Sequence, residues 1–198
     1  MFNTDKLHAY SSGRNFEKTS EPNNQSSSTG GKPVFVIQKH DAGQLHYDFR
    51  LEMRGVLVSW AVPKGLSTDP REKRLAIRTE DHPLAYAHFE GNIPKDQYGG
   101  GTVLIWDRGT YENITNKEGK QQSLEDSMSA GHFLVRLQGQ KLKGGYALTR
   151  IRKQQEEQWL IVKMKDKEAD ARRNPISSQA KSVVSHKTLK QIKEGKNK

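Results

Sequence analysis

The chain has 198 residues and a formal net charge of +10, from 33 Lys and Arg against 23 Asp and Glu. At roughly 150 residues per domain this is one domain with an appendage, and a hydrophobic share of 32%, under the roughly 45–50% of globular chains, implies that part of the chain stays unfolded. No window approaches about 18 apolar residues and the N-terminus carries no apolar run, which argues against a membrane span or a secretory signal, while the absence of Cys excludes disulfides and thiolate chemistry.

The charge is unevenly placed. Residues 1–32 hold four basic and three acidic side chains, and residues 165–198 hold ten and four. Of the +10, therefore, +6 lies in the last stretch, which suggests a phosphate backbone as partner, because each Lys or Arg that neutralises a phosphate releases counterions. A merely solubilising tail is the alternative.

Residues 11–32 are rich in Ser, Asn, Gly and Thr and end in Ser26-Ser27-Ser28-Thr29-Gly30-Gly31. Such a composition buries too little surface to offset ordering entropy, so residues 1–32 are expected to form a flexible arm. From residue 33 to 165 the pattern turns to short runs rich in Val, Ile and aromatics, broken by glycines and by Pro63, Pro70, Pro83 and Pro94. That pattern predicts strands at 33–39, 44–53, 56–62, 74–79, 102–107, 132–138, 144–152 and 158–164, with Arg54-Gly55 as a hairpin turn. One helix is predicted at 124–130, with Ser123 as N-cap and Gly131 as its stop. The fold class is all-β: a compact barrel of about eight strands with one or two short helices and flexible termini, since closure removes unpaired strand edges. A sandwich is the alternative. Residues 166–198 are expected to be a basic, disordered tail.

The densest chemical signal is Gln38-Lys39-His40-Asp41-Ala42-Gly43-Gln44-Leu45-His46-Tyr47-Asp48-Phe49-Arg50-Leu51-Glu52-Met53. Side chains alternate along a strand, so Tyr47, Phe49, Leu51 and Met53 line one face, and His46, Asp48, Arg50 and Glu52 the other. An ordinary solvated face is the plain reading of the second set. Its residue types argue for more: His46 and Asp48 are roughly 6.5–7 Å apart at Cα and can converge on one ion, with His40 reaching back across a Gly43-containing turn. Two imidazoles and a carboxylate suit Mn²⁺, Zn²⁺, Fe²⁺ or Co²⁺ and leave positions open. Arg50 beside them is a phosphate fork. Farther along, Arg74, Ala76 and Arg78 share one strand face against Leu75 and Ile77, which gives that strand a basic side; Lys64 and Arg74 add positive charge around a phosphoryl group, and His82 is a proton-transfer candidate oriented by Glu80 or Tyr86. There is no Lys-x-Asp-Gly adenylation motif and no P-loop, and Gly99-Gly100-Gly101 precedes a strand, as a turn would.

In order, Leu45-His46-Tyr47-Asp48-Phe49-Arg50-Leu51-Glu52, Ser59-Trp60-Ala61-Val62-Pro63-Lys64-Gly65, Glu80-Asp81-His82-Pro83-Leu84, Gln97-Tyr98-Gly99 and Trp106-Asp107 resemble the 3′-phosphoesterase domain of bacterial and archaeal DNA ligase D. The resemblance runs from about Leu7 to Ala169. It implies a β-barrel with a Mn²⁺ site, other transition ions such as Co²⁺ or Zn²⁺ being alternatives. It also implies removal of 3′-terminal ribonucleosides and 3′-phosphates from DNA or DNA/RNA primer-template ends during end-joining repair. It makes His40, His46 and Asp48 metal ligands and puts Arg50, Ser59, Lys64 and Arg74 near the phosphate. His82 and Tyr86 become catalytic contacts, with Gln38, Glu80 and Arg14 supporting. The arm resembles the family in Tyr10, Arg14, Phe16, Thr19, Glu21 and Pro22, but has Asn15 where the family usually has Asp and Gly13 where it usually has a basic residue. A free-standing cytoplasmic, nucleoid-associated prokaryotic enzyme is implied, with no membrane contact, working beside a separately encoded ligase, polymerase and end-binding repair proteins. Two other readings stand: a non-haem Fe(II) oxygenase using His46, Asp48 and a distal His132, and a non-catalytic nucleic-acid-binding module.

Overall fold

The structure is a computed structural model, and it describes residues 7–23, 30–154 and 156–195. In chain order it contains α1 (His8–Ser12), β1 (Val34–Asp41), β2 (Leu45–Met53), β3 (Val56–Val62), β4 (Lys73–Arg78), β5 (His82–Pro83), a 3₁₀ turn at Leu84–His88, β6 (Gly91–Ile93) and β7 (Gly101–Asn113). Then follow β8 (Asn116–Lys117), β9 (Lys120–Gln121), α2 (Leu124–Ala130), β10 (His132–Gly139), β11 (Lys143–Arg152), β12 (Gln158–Lys163), α3 (Pro175–Ser178) and α4 (Leu189–Lys193).

Eight strands in the order β1-β2-β3-β4-β12-β11-β10-β7 pair antiparallel, and β7 returns to β1, so the sheet closes into a barrel. Each predicted strand is present, and β7 extends well beyond its predicted end at 107. The β2–β3 hairpin turns on Arg54 and Gly55, both with positive φ (51° and 79°), the backbone a two-residue turn needs to match strand twist. Helix α2 has its predicted ends: the Ser123 side chain accepts from the Asp126 amide, and Gly131 stops it at φ 87°.

The inward face of β2 is the apolar one. Tyr47, Phe49, Leu51 and Met53 are buried, and Phe49, Trp60, Trp159 and Phe133 form a chain of ring contacts 5.6–6.1 Å apart through the core. His46, Asp48 and Arg50 therefore stand on the outer wall. They are not on a wet surface: residues 79–99 and the N-terminal segment cover this wall, leaving Asp48 5% and Arg50 3% exposed.

Two expectations about the termini are corrected. Within the arm, residues 7–23 dock on the barrel: Tyr10 is fully buried, its hydroxyl donates to the Pro22 carbonyl, and Thr19 and Glu21 are buried. Four or five anchoring side chains do this in a segment whose average composition is polar. Residues 24–29, which include the Ser26–Thr29 run, lie outside the described residues, as do 1–6. At the other end, residues 166–195 do not form a disordered tail but strap the barrel. Thr68 Oγ1 donates to the Asp170 and Arg173 carbonyls, Trp106 Nε1 donates to the Gln179 carbonyl at 2.7 Å, and the Val183 amide donates to the Ile105 carbonyl. Buried Pro175 and Ser182 complete the attachment. Among the described residues no helix is long and apolar enough to cross a membrane.

Candidate metal centre and phosphate site

Register builds the centre. β1 and β2 pair with Gln38 opposite Asp48 and His40 opposite His46, and neighbours across a strand pair on one face are close enough to act together. His40 Nδ1 lies 3.5 Å from Asp48 Oδ2, and His46 Nε2 lies 3.6 Å from Asp48 Oδ1. One donor atom from each of the three residues falls within 4.8 Å of the others.

The other nitrogen of each ring decides the chemistry. His40 Nε2 is 2.9 Å from the Gly99 carbonyl, and His46 Nδ1 is 2.9 Å from the Gln44 carbonyl. A carbonyl only accepts, so these nitrogens carry the protons. In the neutral rings this leaves the lone pairs on His40 Nδ1 and His46 Nε2, the two atoms that face Asp48. A backbone partner behind each imidazole is the usual support of a metal-binding histidine, and this donor set fits a divalent transition ion.

Asp48 is an anion ready for such an ion. Burial alone would raise its pKa, but the Arg50 guanidinium and then the neighbouring His40 and His46 rings outweigh burial and hold it well below the usual carboxylate range. For His46 burial works toward a lower pKa, and its contacts with Asp48 overcome that and raise it.

Arg50 is the hub between this centre and the segment lying over it. Its Nε donates to Gln38 Oε1 at 2.8 Å, one terminal nitrogen donates to Asp48 Oδ2 at 3.1 Å, and the other is 2.9 Å from His82 Nδ1. The Gln38 amide is oriented because its Nε2 donates to the Tyr86 and Phe89 carbonyls. The guanidinium also lies over the Tyr86 ring at 4.9 Å. With five N–H donors, of which three are engaged, Arg50 keeps two for a ligand.

His82 is 4% exposed and its pKa is lowered well below the ordinary value, first by burial and then by Arg50 and Arg14. Its Nδ1 faces both Arg50 and the Glu80 carbonyl at 2.9 Å. The two cannot both be hydrogen bonds to one nitrogen, and the guanidinium, protonated at every pH, is the partner consistent with a neutral ring accepting at Nδ1. Ser59 Oγ is 3.5 Å from the same nitrogen and donates to the Leu57 carbonyl.

Behind His82 the arm supplies a second tier. Tyr86, whose hydroxyl pKa burial raises far, donates to Glu21 Oε1 at 3.0 Å; Arg14 donates to Glu21 and to Glu80, both at 3.0 Å. Arg14 also stacks over Tyr10 at 3.9 Å. Ten of the twelve expected site residues thus meet: Arg14, Gln38, His40, His46, Asp48, Arg50, Ser59, Glu80, His82 and Tyr86.

Residues 38–150 match the family model of the DNA Ligase D 3′-phosphoesterase domain. The chain belongs to this family. It is 43% identical over 194 residues to the multifunctional non-homologous end joining protein LigD of Pseudomonas aeruginosa and 44% identical over 196 residues to that of Mycolicibacterium smegmatis, covering 96% and 97% of this chain. The chain spans only 22% and 25% of those relatives' lengths.

Two expected phosphoesterase-site residues make no hydrogen bond or ion pair with the cluster among the described residues. Lys64 is exposed on the turn after β3. Arg74 pairs with Glu72 at 2.6 Å. On β4 the expected basic face is corrected: Ala76 is in the core and Leu75 is 40% exposed, so Arg74 and Arg78 flank a core position rather than line an outer face. Arg78 reaches over the Trp60 ring and pairs with Asp81. His132, the third ligand of the oxygenase reading, is exposed on β10 and bonded to Thr149 Oγ1 at 2.9 Å, outside the cluster. Sequence reasoning missed Glu21 as a site residue. A buried acid shared by Arg14, Thr19 and Tyr86 has no local pattern, and only the run of family-like arm residues pointed to it.

Proposed function

We propose that this chain is a metal-dependent 3′-phosphoesterase that trims 3′ ends of nucleic-acid primer strands in DNA end joining. What supports this most is the convergence of His40 Nδ1, His46 Nε2 and the Asp48 carboxylate beside a guanidinium with two N–H donors not engaged among the described residues, in a chain of this family. His40, His46 and Asp48 would hold the ion, Mn²⁺ by preference and Co²⁺ or Zn²⁺ as alternatives. An ion held there supplies Lewis-acid polarisation of a phosphoryl oxygen.

The chain's own residues do the rest. Arg50 directs its remaining donors at the phosphoryl oxygens in a bidentate fork. Ser59 adds a hydroxyl, and Lys64 and Arg74, at the margin, meet the extra charge of a monoester. Gln38 and Tyr86 hold the Arg50 plane, while Glu80 and Arg14 hold His82. Neutral before substrate arrives, His82 gains basicity when phosphate charge offsets Arg50 and Arg14, which suits it to handle a proton at the leaving oxygen. Cleavage of the bond to the terminal nucleoside leaves a 3′-phosphate, and a second hydrolysis leaves a 3′-hydroxyl. The partners in this reading are DNA or DNA/RNA primer-template ends and separately encoded ligase, polymerase and end-binding proteins, at the nucleoid in the cytoplasm.

The test is a gel. Metal-stripped protein is given a primer-template ending in one ribonucleotide, and Mn²⁺ is added. A shortened 3′-phosphate strand and then a 3′-hydroxyl strand are expected, and His46→Ala abolishes both while keeping the wild-type circular dichroism. Binding with no shortened or dephosphorylated product would overturn the proposal in favour of a non-catalytic binding module.

A further inference from the structure

Tyr98 is 57% exposed, more than any other large hydrophobic side chain among the described residues. A single exposed aromatic is ordinary; the way this one is held is not. Its hydroxyl donates to Glu80 Oε2 at 3.1 Å. Arg14 lies 5.4 Å from the ring centroid, and Gly13 lies so close that a Cβ there would be 3.7 Å from the ring's Cγ. The loop beneath is tight: the Gln97 amide donates to the Pro94 carbonyl and the Gly100 amide to the Gln97 carbonyl.

The glycine run gives this loop its place. Gly99 has φ +74°, a Cβ on Gly100 would sit 2.6 Å from the Pro94 carbonyl oxygen, and one on Gly101 would collide with the Asp41 carbonyl oxygen. Without side chains the run lies flat against the end of β1, and the Gly99 carbonyl takes the proton of His40 Nε2. The arm adds a tie, the Asn15 amide donating to Gln97 Oε1 at 3.1 Å. The Tyr98 ring is therefore set between the metal ligands, through Gly99, and His82, through Glu80, at little entropic cost for a two-torsion side chain.

A flat apolar ring, fixed in place and left open beside a phosphate-type site, matches a ligand that carries a planar ring next to its phosphate. We propose that Tyr98 is a stacking platform for one of the last two bases of the strand whose 3′ end is processed. The inference rests on the 3′-end reading above. Base–aromatic stacking tolerates any base, so this contact would position the strand without selecting its sequence, and its loss should weaken binding by about five- to a hundredfold.

The experiment compares wild type with Tyr98→Phe, Tyr98→Leu and Tyr98→Ala. Each is assayed for KM and kcat on the ribonucleotide-ended primer-template, and for Kd by fluorescence anisotropy with Mn²⁺ omitted. The substrates carry a normal base or an abasic residue at the last or the next-to-last position. Tyr98→Phe should keep KM and Kd within about twofold. Tyr98→Ala and Tyr98→Leu should raise both by about five- to a hundredfold, with a much smaller change in kcat, and one of the two abasic substrates should erase the difference from wild type. Unchanged KM and Kd in Tyr98→Ala overturns the proposal. Equal losses in Tyr98→Phe and Tyr98→Ala also overturn it and assign the effect to the hydroxyl on Glu80; so does a penalty that persists on both abasic strands. A wild type that binds but turns nothing over refutes the phosphoesterase reading instead, and the Kd series still decides the stacking contact.

Discussion

Replacing Glu21 with Gln should release the N-terminal segment from the barrel without unfolding the barrel. The Glu21 side chain is completely enclosed and accepts three hydrogen bonds at 3.0 Å, from Arg14 Nε, Thr19 Oγ1 and Tyr86 OH. Gln has the same shape, so no cavity forms, but the charge opposing Arg14 is lost and an amide N–H₂ is turned toward donors. Breaking a buried ion pair costs about 3–5 kcal/mol because the remaining charge is left uncompensated. Arg14 keeps Glu80 at 3.0 Å, which argues for the lower end, about 3 kcal/mol, or roughly 150-fold in the docking equilibrium at 1.36 kcal/mol per decade. Hydrogen exchange reads this directly. The amides of Lys18 and Thr19, both bonded to the Asn15 carbonyl, should lose about a hundredfold of protection, while amides in the Phe49–Trp60 stretch of the β2–β3 pairing keep theirs. Unchanged arm protection, or an equal loss in arm and barrel, would refute the claim that this one carboxylate anchors a separately opening unit.

Three further outcomes are expected. Lys64→Ala or Arg74→Ala should slow removal of a 3′-phosphate more than cleavage of the terminal diester, since a monoester carries more charge; equal losses in the two steps on a time-resolved gel would assign these residues to the fold or to general binding. Deleting residues 166–198 removes the carbonyl partners of Trp106, Lys141 and Thr68 and opens these donors to water; at about 0.5–1.5 kcal/mol net for each of the three and about 2–4 °C per kcal/mol for a chain of this size, the melting midpoint should fall by at least about 3 °C, and an unchanged midpoint would show the strap to be dispensable. For His82, whose pKa is depressed on folding, the unfolded chain takes up a proton below about pH 6.5 that the folded state refuses, so its contribution to stability falls as pH drops; the advantage of wild type over His82→Asn in urea midpoint should shrink from pH 7 to pH 5, and growth of that advantage would mean the sign is wrong.

The barrel and the meeting of His40, His46 and Asp48 are legible because both are written in local periodicity. Alternation along 45–53 assigns Phe49 to the core and Asp48 to the other wall, and a turn centred on Gly43 returns His40 to a position opposite His46. What alternation does not say is what lies over a polar wall. A row of His, Asp and Arg reads as solvent-facing until another segment covers it, and Gln38 and Arg50 are buried because 79–99 and 7–23 fold back on them. The face of β4 was misassigned for a related reason. Arg74, Ala76 and Arg78 share one side, and two charges against one Ala suggest an outer face, yet in a barrel the small residue faces the packed interior while the long arginines bend out past its ends.

Both termini were read as unfolded from averages, and the average is the wrong quantity for a segment that packs against a finished surface. An isolated domain must cover its own ordering entropy with its own buried area. A segment that lands on a barrel needs only a few well-placed contacts, because the surface it meets is already ordered. Tyr10, Arg14 and Glu21 serve 7–23 in this way, and Pro175, Ser182 and the carbonyls of Gln179 and Lys181 serve the strap, where Lys141 bonds both carbonyls and lies 4.6 Å over the Trp106 ring. The same logic explains why the arm belongs to the site's chemistry. Arg14 is a cation too far from His40, His46 and Asp48 in sequence to be grouped with them, yet it lowers the His82 pKa and holds the carboxylate that pins Tyr98. A change that undocks the arm should therefore raise the His82 pKa and loosen the Tyr98 ring together.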